Sequence, residues 1–208
     1  MNGKMRVGIL ANSYLEAFKI YEQLHDLPDC ELFVMLSPLP HRAAWLSILA
    51  NFARMVVSSM SPSHWQLRSV PSNRRVVFLP HAANHAASVA QLRNMNLDVG
   101  LDRSGSDYSD QTTKAFRLGI LRVRVGGVSS GRLAVSLERS LGADRLVNVT
   151  VFFVDPLHNQ GIPVVSDQVE FSKCKNLREA NQHLSDTCSY FFRKAIVALS
   201  ATNELSLS

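Results

Sequence analysis

Arg122 and Arg124 are the residues whose type and spacing ask most directly for a chemical explanation. They alternate with Leu121, Val123 and Val125, so in a strand both guanidinium groups leave by one face. If that face is buried, each needs an anionic partner, because an unpaired buried charge is strongly disfavoured. Gly126, Gly127, Val128, Ser129, Ser130 and Gly131 follow, and Arg132 closes the run. Backbone N–H groups in such a loop can cradle an anion, and convergent arginines can grip phosphate or carboxylate. The plainer reading is a glycine-rich connection flanked by solvated arginines. The sequence leaves both open.

Two other turns collect polar residues. Asp155, His158 and Asn159 lie close together, and a His–Asp pair can do acid–base work. The same residue types also build ordinary turns. Asp102, Arg103 and Ser104 precede Gly105 at the end of an apolar run. His81 and His85 are one helical turn apart, a spacing that can hold zinc when both sit on a helix. Ala82 stands where a metalloprotease would need its glutamate, and no third ligand is apparent, so the pair reads as two polar residues at a helix start and no metal is assigned. Gly8 to Ser13 does not match the dinucleotide fingerprint, and neither a P-loop nor a nucleophile elbow is present.

These residues must be positioned by alternating strands and helices. Strand-like runs are Met5 to Leu10, Glu31 to Leu36, Val76 to Leu79, Leu97 to Leu101, Leu118 to Val125, Leu146 to Val154 and Ile162 to Phe171. Helical spacing follows Asn12 and Ser13, then recurs over Ala43 to Met60, Ala86 to Met95, Gln111 to Phe116, Leu133 to Leu141 and Asn176 to Ser200. Pro38 and Pro40 stop the second strand, Pro80 stops the third, and Ser58 to Asn73 reads as a loop. The stripe Leu177, Ala180, Leu184, Cys188, Phe191, Ala195, Leu199 faces a core, with Asn176 as its cap. The fold class expected is α/β: a mainly parallel open sheet covered on both faces, with a late hairpin around Asp155 to Gly161 and a long last helix. Ligands of such a sheet sit outside the carboxyl ends of its strands, at the turns Ala11 to Ser13, Asp102 to Gly105, Val125 to Gly131 and Asp155 to Gly161.

Composition narrows the class of protein. With 208 residues and 46% apolar content, the chain can bury a sizeable single core. No apolar run reaches the roughly 18 residues that span a bilayer, and the start has no signal-peptide layout. Cytoplasmic residence without membrane insertion is expected. Cys30, Cys174 and Cys188 form no paired motif and read as reduced thiols. The net charge of +5 is scattered and comes with no nucleic-acid signature, so nucleic acid is not the expected partner. A homo-oligomer is left open.

Five segments then bring a family into view. They are Met5 to Leu10, Asn96 to Leu101, Ala115 to Arg124, Val147 to Asp155 and Gly161 to Val164. In this order they resemble the N-terminal domain of the formyltransferase family, which includes methionyl-tRNA, glycinamide ribonucleotide and sugar N-formyltransferases. The likeness runs from about Met5 to Leu199 and is nearest to the polysaccharide-associated, formyltransferase-like group. It implies one Rossmann-like domain over 1–200 with a tail at 201–208. It also implies 10-formyltetrahydrofolate as cofactor if the chain is active, with Asp102, Arg103 and Ser104 as its contacts.

Family chemistry uses an Asn, a His and an Asp. The alignment puts Arg122, Arg124 and Asn159 in those places. An arginine does not give up its proton near neutral pH, and an amide is no substitute for a carboxylate base. The resemblance therefore implies a pseudoenzyme that binds an anionic small molecule, a nucleotide sugar or a partner, in surface-polysaccharide or related metabolism. The ligand would meet Arg122, Arg124, Gly126, Gly127 and Arg132. Two alternatives stand beside it. One is a working N-formyltransferase on an amino sugar or similar amine, with Asp155, His158 and Asn159 recruited. The other is a scaffold that docks through the Ala43 to Met60 helix.

Overall fold

The structure is a computed structural model that describes residues 4–37, 75–126, 128–129, 146–155, 161–170 and 177–205. The expected helices Ala43 to Met60 and Leu133 to Leu141, the loop Ser58 to Asn73, the cap Asn176 and Cys174 lie outside the described residues. So do Gly127, Gly131, Arg132, His158 and Asn159.

The strands are β1 (Met5–Ala11), β2 (Cys30–Leu36), β3 (Val76–Phe78), β4 (Leu97–Asp102), β5 (Phe116–Val125), β6 (Val128–Ser129), β7 (Leu146–Phe153) and β8 (Pro163–Glu170). The helices described are α1 (Tyr14–Leu24), α2 (Ala86–Asn94), α3 (Asp110–Thr113) and α4 (Leu177–Leu205). They form one sheet in the order β3-β2-β1-β4-β5-β7-β8, with β6 hung on β5. The first five strands in that order are parallel, while β7 runs antiparallel to β5 and β8 antiparallel to β7. This is the expected α/β fold with its late hairpin.

Both faces are covered. On one, Val7, Ile9, Leu101, Leu121, Val123 and Val149 pack against Ile20 and Leu24 of α1 and against Phe191, Phe192 and Ile196 of α4. The helical stripe holds where it is described, with Leu184, Cys188, Phe191 and Ala195 all buried. On the other face, Leu10, Met35, Leu97, Phe116 and Ile120 pack against Leu92 of α2. Gly8 and Gly100 are partners on β1 and β4. An added Cβ would lie 2.9 Å from Leu97 Cδ1 at Gly8 and 3.1 Å from the Phe116 ring at Gly100. The two glycines thus let Phe116 lie close against the sheet.

Several boundaries differ from the sequence reading. The short helix is Asp110–Thr113 rather than Gln111 to Phe116, because Phe116 enters the sheet opposite Leu97. Ser109 caps α3 by accepting from the Thr112 N–H. β6 was not foreseen: Gly126 turns at φ 57 and lets Val128 and Ser129 fold back on Val125 and Arg124. The last helix continues past Ser200 to Leu205.

Gly100→Ala is expected to lower stability by about 1–3 kcal/mol, the usual cost of overpacking a close-packed core. The measurement is urea unfolding, with the exposed Val197→Ala as a control expected within about 0.5 kcal/mol of wild type.

Candidate functional site

The sheet changes direction between β1 and β4, since β2 lies on one side of β1 and β4 on the other. A crevice outside the carboxyl ends of these strands is where an open α/β sheet receives ligands. Three strand ends lie side by side here. Leu10 of β1 is the register partner of Asp102 of β4, and Asp102 is the partner of Arg122 of β5. Register partners on neighbouring parallel strands project from the same face, so Asp102 and Arg122 meet.

They meet as a buried ion pair. The Asp102 side chain is 0% exposed and that of Arg122 7%. Arg122 Nε donates to Asp102 Oδ2 at 2.6 Å, and Arg122 Nη2 donates to the Ser106 carbonyl. Asp102 Oδ1 accepts from the Ser104 N–H at 2.9 Å, Ser104 Oγ at 2.9 Å, the Gly105 N–H at 3.2 Å and the Tyr108 hydroxyl at 2.8 Å. Ser104 Oγ, its proton given to Asp102, is left as an acceptor for the Ser106 hydroxyl at 2.9 Å. Gly105 sits at φ 66, which lets the chain turn tightly around the carboxylate. Asn12, in the turn after β1, donates from Nδ2 to the Ser104 carbonyl at 3.2 Å and ties the two sides of the crevice together. Burial, then the nearby Asp102 carboxylate, pushes the Tyr108 phenol well above its usual range, so the hydroxyl keeps its proton and acts as a donor.

The residues singled out from the sequence fall into distinct environments. Arg122 needed an anionic partner, and the chain supplies one in Asp102. Arg124 leaves by the same face and is half-buried, with its guanidinium carbon 4.4 Å from the centre of the Phe152 ring. Gly126 donates its N–H to the Asn148 carbonyl at 2.8 Å, so that group is used in the β5–β7 ladder. Asp102, Arg103 and Ser104 do not present one surface. Asp102 and Ser104 turn into the network just described, whereas Arg103 crosses to the α4 side and reaches Ser185 Oγ at 3.4 Å. Burial raises the Cys188 thiol on that side, with Arg103 working against the shift. Asp155 is half-buried just beyond β7. The return from that turn is tight: a Cβ on Gly161 would fall 1.6 Å from the Phe153 carbonyl oxygen. His85 caps α2, its Nδ1 accepting from the Ala87 N–H at 3.2 Å. Among the described residues no group of three His, Cys, Asp or Glu could hold a metal.

Ser106 and Tyr108 were not singled out from the sequence. The available signal was the buried-strand arginine together with an Asp followed by Ser two residues later, a pattern that favours an Asx turn.

Arg122→Ala is expected to cost about 3–5 kcal/mol, because it leaves the Asp102 carboxylate buried without its cation. Restoring the balance with Asp102→Asn in the same chain should recover much of the loss, as measured by a double-mutant cycle in urea. Tyr108→Phe is expected to cost about 1.5–3 kcal/mol at neutral pH, the range for a hydrogen bond to a charged group. The folded phenol titrates above the unfolded value near pH 10. Its contribution is therefore complete below about pH 10 and is lost as pH rises beyond it. Wild type should lose stability above about pH 10 more steeply than Tyr108→Phe, with Tyr14, also raised by burial and then by Tyr21, leaving some slope in both.

No family model and no curated protein sequence matches the chain. Solved structures do. A phosphoribosylglycinamide formyltransferase from Streptococcus pneumoniae TIGR4 superposes with a TM-score of 0.60 at 14% identity, over 94% of this chain and 98% of that one. A sugar N-formyltransferase from Shewanella sp FDAARGOS_354 gives 0.58 at 10% identity, over 95% of this chain and 71% of that one. A formyltetrahydrofolate deformylase from Pseudomonas syringae pv. tomato str. DC3000 gives 0.56 at 13% identity, over 91% and 58%. With the sheet order and these superpositions together, the chain has the formyltransferase fold.

Proposed function

We propose that this chain is a formyltransferase-fold pseudoenzyme that binds an anionic small molecule, such as a nucleotide sugar, at the crevice beside β5, and acts in the cytoplasm. The observation that carries the reading is the Asp102–Arg122 pair. Where the family resemblance asks for a neutral amide, Arg122 brings a guanidinium whose charge is matched from within the chain. That group has no proton to yield near neutral pH, and its neighbour Asp102 has both oxygens engaged by donors. Neither residue can take a proton from an attacking amine without dismantling the network.

Arg124, on the same face, is then the cation through which an anionic ligand would be read. Its guanidinium rests against Phe152, a contact that orients the group, and a guanidinium is the side chain best shaped to grip phosphate or carboxylate. Asp102 contributes indirectly, by holding the loop from Ser104 to Tyr108 in shape.

The purified chain, given 10-formyltetrahydrofolate and an amino-sugar nucleotide, should show no formyl transfer above the uncatalysed rate. In calorimetry a nucleotide sugar should bind, and Arg124→Ala should weaken it by about 1.5–3 kcal/mol, roughly 10- to 150-fold in Kd. Measurable turnover that His158→Ala abolishes would replace the pseudoenzyme reading with that of a working N-formyltransferase. Unchanged binding in Arg124→Ala would remove the anion site.

A further inference from the structure

We propose that the groove between the outer edge of β8 and α4 is a docking site for an extended, lysine- or arginine-rich segment of a partner protein, which joins the sheet as one more strand. β8 ends the sheet, and among the described residues no strand pairs with its outer side. A strand in that position turns a row of backbone N–H and C=O groups away from its neighbour, where another chain can meet them. The opposite edge, β3, has three residues, whereas β8 has eight. Ser166, Asp167, Gln168 and Glu170 of β8 are exposed.

The groove encloses about 770 Å³. β8 lines it with Asp167, Gln168, Val169 and Glu170. Successive residues of a strand point to opposite faces, so a hollow lined by four in succession follows the edge of the strand and not one face of the sheet. α4 lines it with Glu179, Gln182, Asp186, Tyr190 and Lys194, spaced by three or four residues and so on one side of the helix. From Glu179 to Lys194 the helix advances about 22 Å, the span of roughly six or seven residues of extended chain.

Charge selects the occupant. Asp167, Glu170, Glu179 and Asp186 line the groove together with one ammonium, that of Lys194, and with His183, in a chain whose net charge is +5. Lys19 of α1 reaches Asp186 at 3.3 Å. The surface is thus acidic on a basic protein. Pairing of β8 with a second β8 about a two-fold axis would set carboxylates against carboxylates, which is unfavourable. A cationic strand meets no such penalty. Lys194 shows how the groove holds a cation: its Nζ lies 3.2 Å from Asp167 Oδ2 and 5.1 Å and 5.5 Å from the ring centres of Tyr190 and Phe191. Tyr190 is 48% exposed, so part of its ring is open to an incoming side chain. This surface is two strands from β5 in the sheet order and does not involve Arg124.

The test is fluorescence anisotropy of a labelled peptide of about eight residues, alternating lysine and valine to suit the period of a strand, titrated with the full chain. Wild type is expected to bind it, and binding should weaken as salt is raised. The double variant Glu170→Lys with Glu179→Lys should bind at least about tenfold more weakly, as expected for two exposed charge pairs made repulsive. Glu170→Gln with Glu179→Gln should lose less, and circular dichroism checks that both variants are folded. A peptide N-methylated at every second residue keeps its charges but loses the backbone donors of one side, and should bind at least about fivefold more weakly, the worth of a few hydrogen bonds. No binding by wild type, equal binding of a peptide alternating glutamate and valine, or binding indifferent to both pairs of substitutions overturns the docking site. Binding indifferent to N-methylation overturns strand addition. Self-association of wild type, seen by sedimentation and excluding the peptide, overturns the proposal in favour of a second copy at this edge. None of these outcomes bears on formyl transfer or on Arg124.

Discussion

The carboxylate of Asp102 is the point on which the carboxyl end of the sheet depends. It accepts from Ser104, Gly105, Tyr108 and Arg122, and it is closed to solvent. Removing such a charge from water costs several kcal/mol, and the attraction of one guanidinium repays it only when the remaining lone pairs are also filled. Here they are, by two backbone N–H groups and two hydroxyls. The net contribution of a satisfied buried pair to stability is modest, whereas breaking it is costly. Its effect is therefore on which conformation the chain adopts. The loop after β4 has one arrangement in which all these donors reach one carboxylate, and Asn12 then links that loop to the turn after β1.

This arrangement limits what the crevice can do. The end of β5 carries two arginines on one face, and their environments differ. Arg122 is enclosed with its counter-charge, so the electric field of the pair is that of a dipole and falls off quickly with distance. Arg124 lies one pleat further along, half-buried against Phe152. Arg124 is thus the more exposed of the two guanidinium groups. The glycine-rich stretch beyond does not act wholly as a loop either, because Gly126 donates to Asn148 and Val128 and Ser129 pair back on β5.

The large features were legible because they depend on local patterns. Alternating apolar runs and helical stripes gave the order of strands and helices, and Leu184, Cys188, Phe191 and Ala195 are buried as their spacing required. The five family segments gave the fold, which superposition on solved structures at 10–14% identity bears out. What stayed hidden depends on register and on contacts between distant residues. The need of Arg122 for an anion was readable, but the anion was sought in a ligand. Asp102 lies on a separate strand, and only the parallel register of β4 and β5 sets the two side by side. Phe116 was likewise assigned to a helix by its spacing. The space over Gly8 and Gly100, which no local pattern encodes, takes it into the sheet.

The parallel register also couples the identities of residues 102 and 122. An arginine at position 122 without an acid beside it would leave a buried cation, and an aspartate at 102 without the arginine would leave a buried anion. Either alone would penalise folding, so the two identities are coupled through one interaction. An amide placed at 122 would remove the cation of that pair. It would strand the Asp102 carboxylate, and the loop from Ser104 to Tyr108 is shaped around that carboxylate as an acceptor. The fold can survive at low identity because its core asks only for apolar residues of suitable size, which many sequences supply. A catalytic constellation asks for particular groups at particular distances. The Asp102–Arg122 pair is demanding in the same way, since its polar contacts serve only a carboxylate at 102 and a cation at 122.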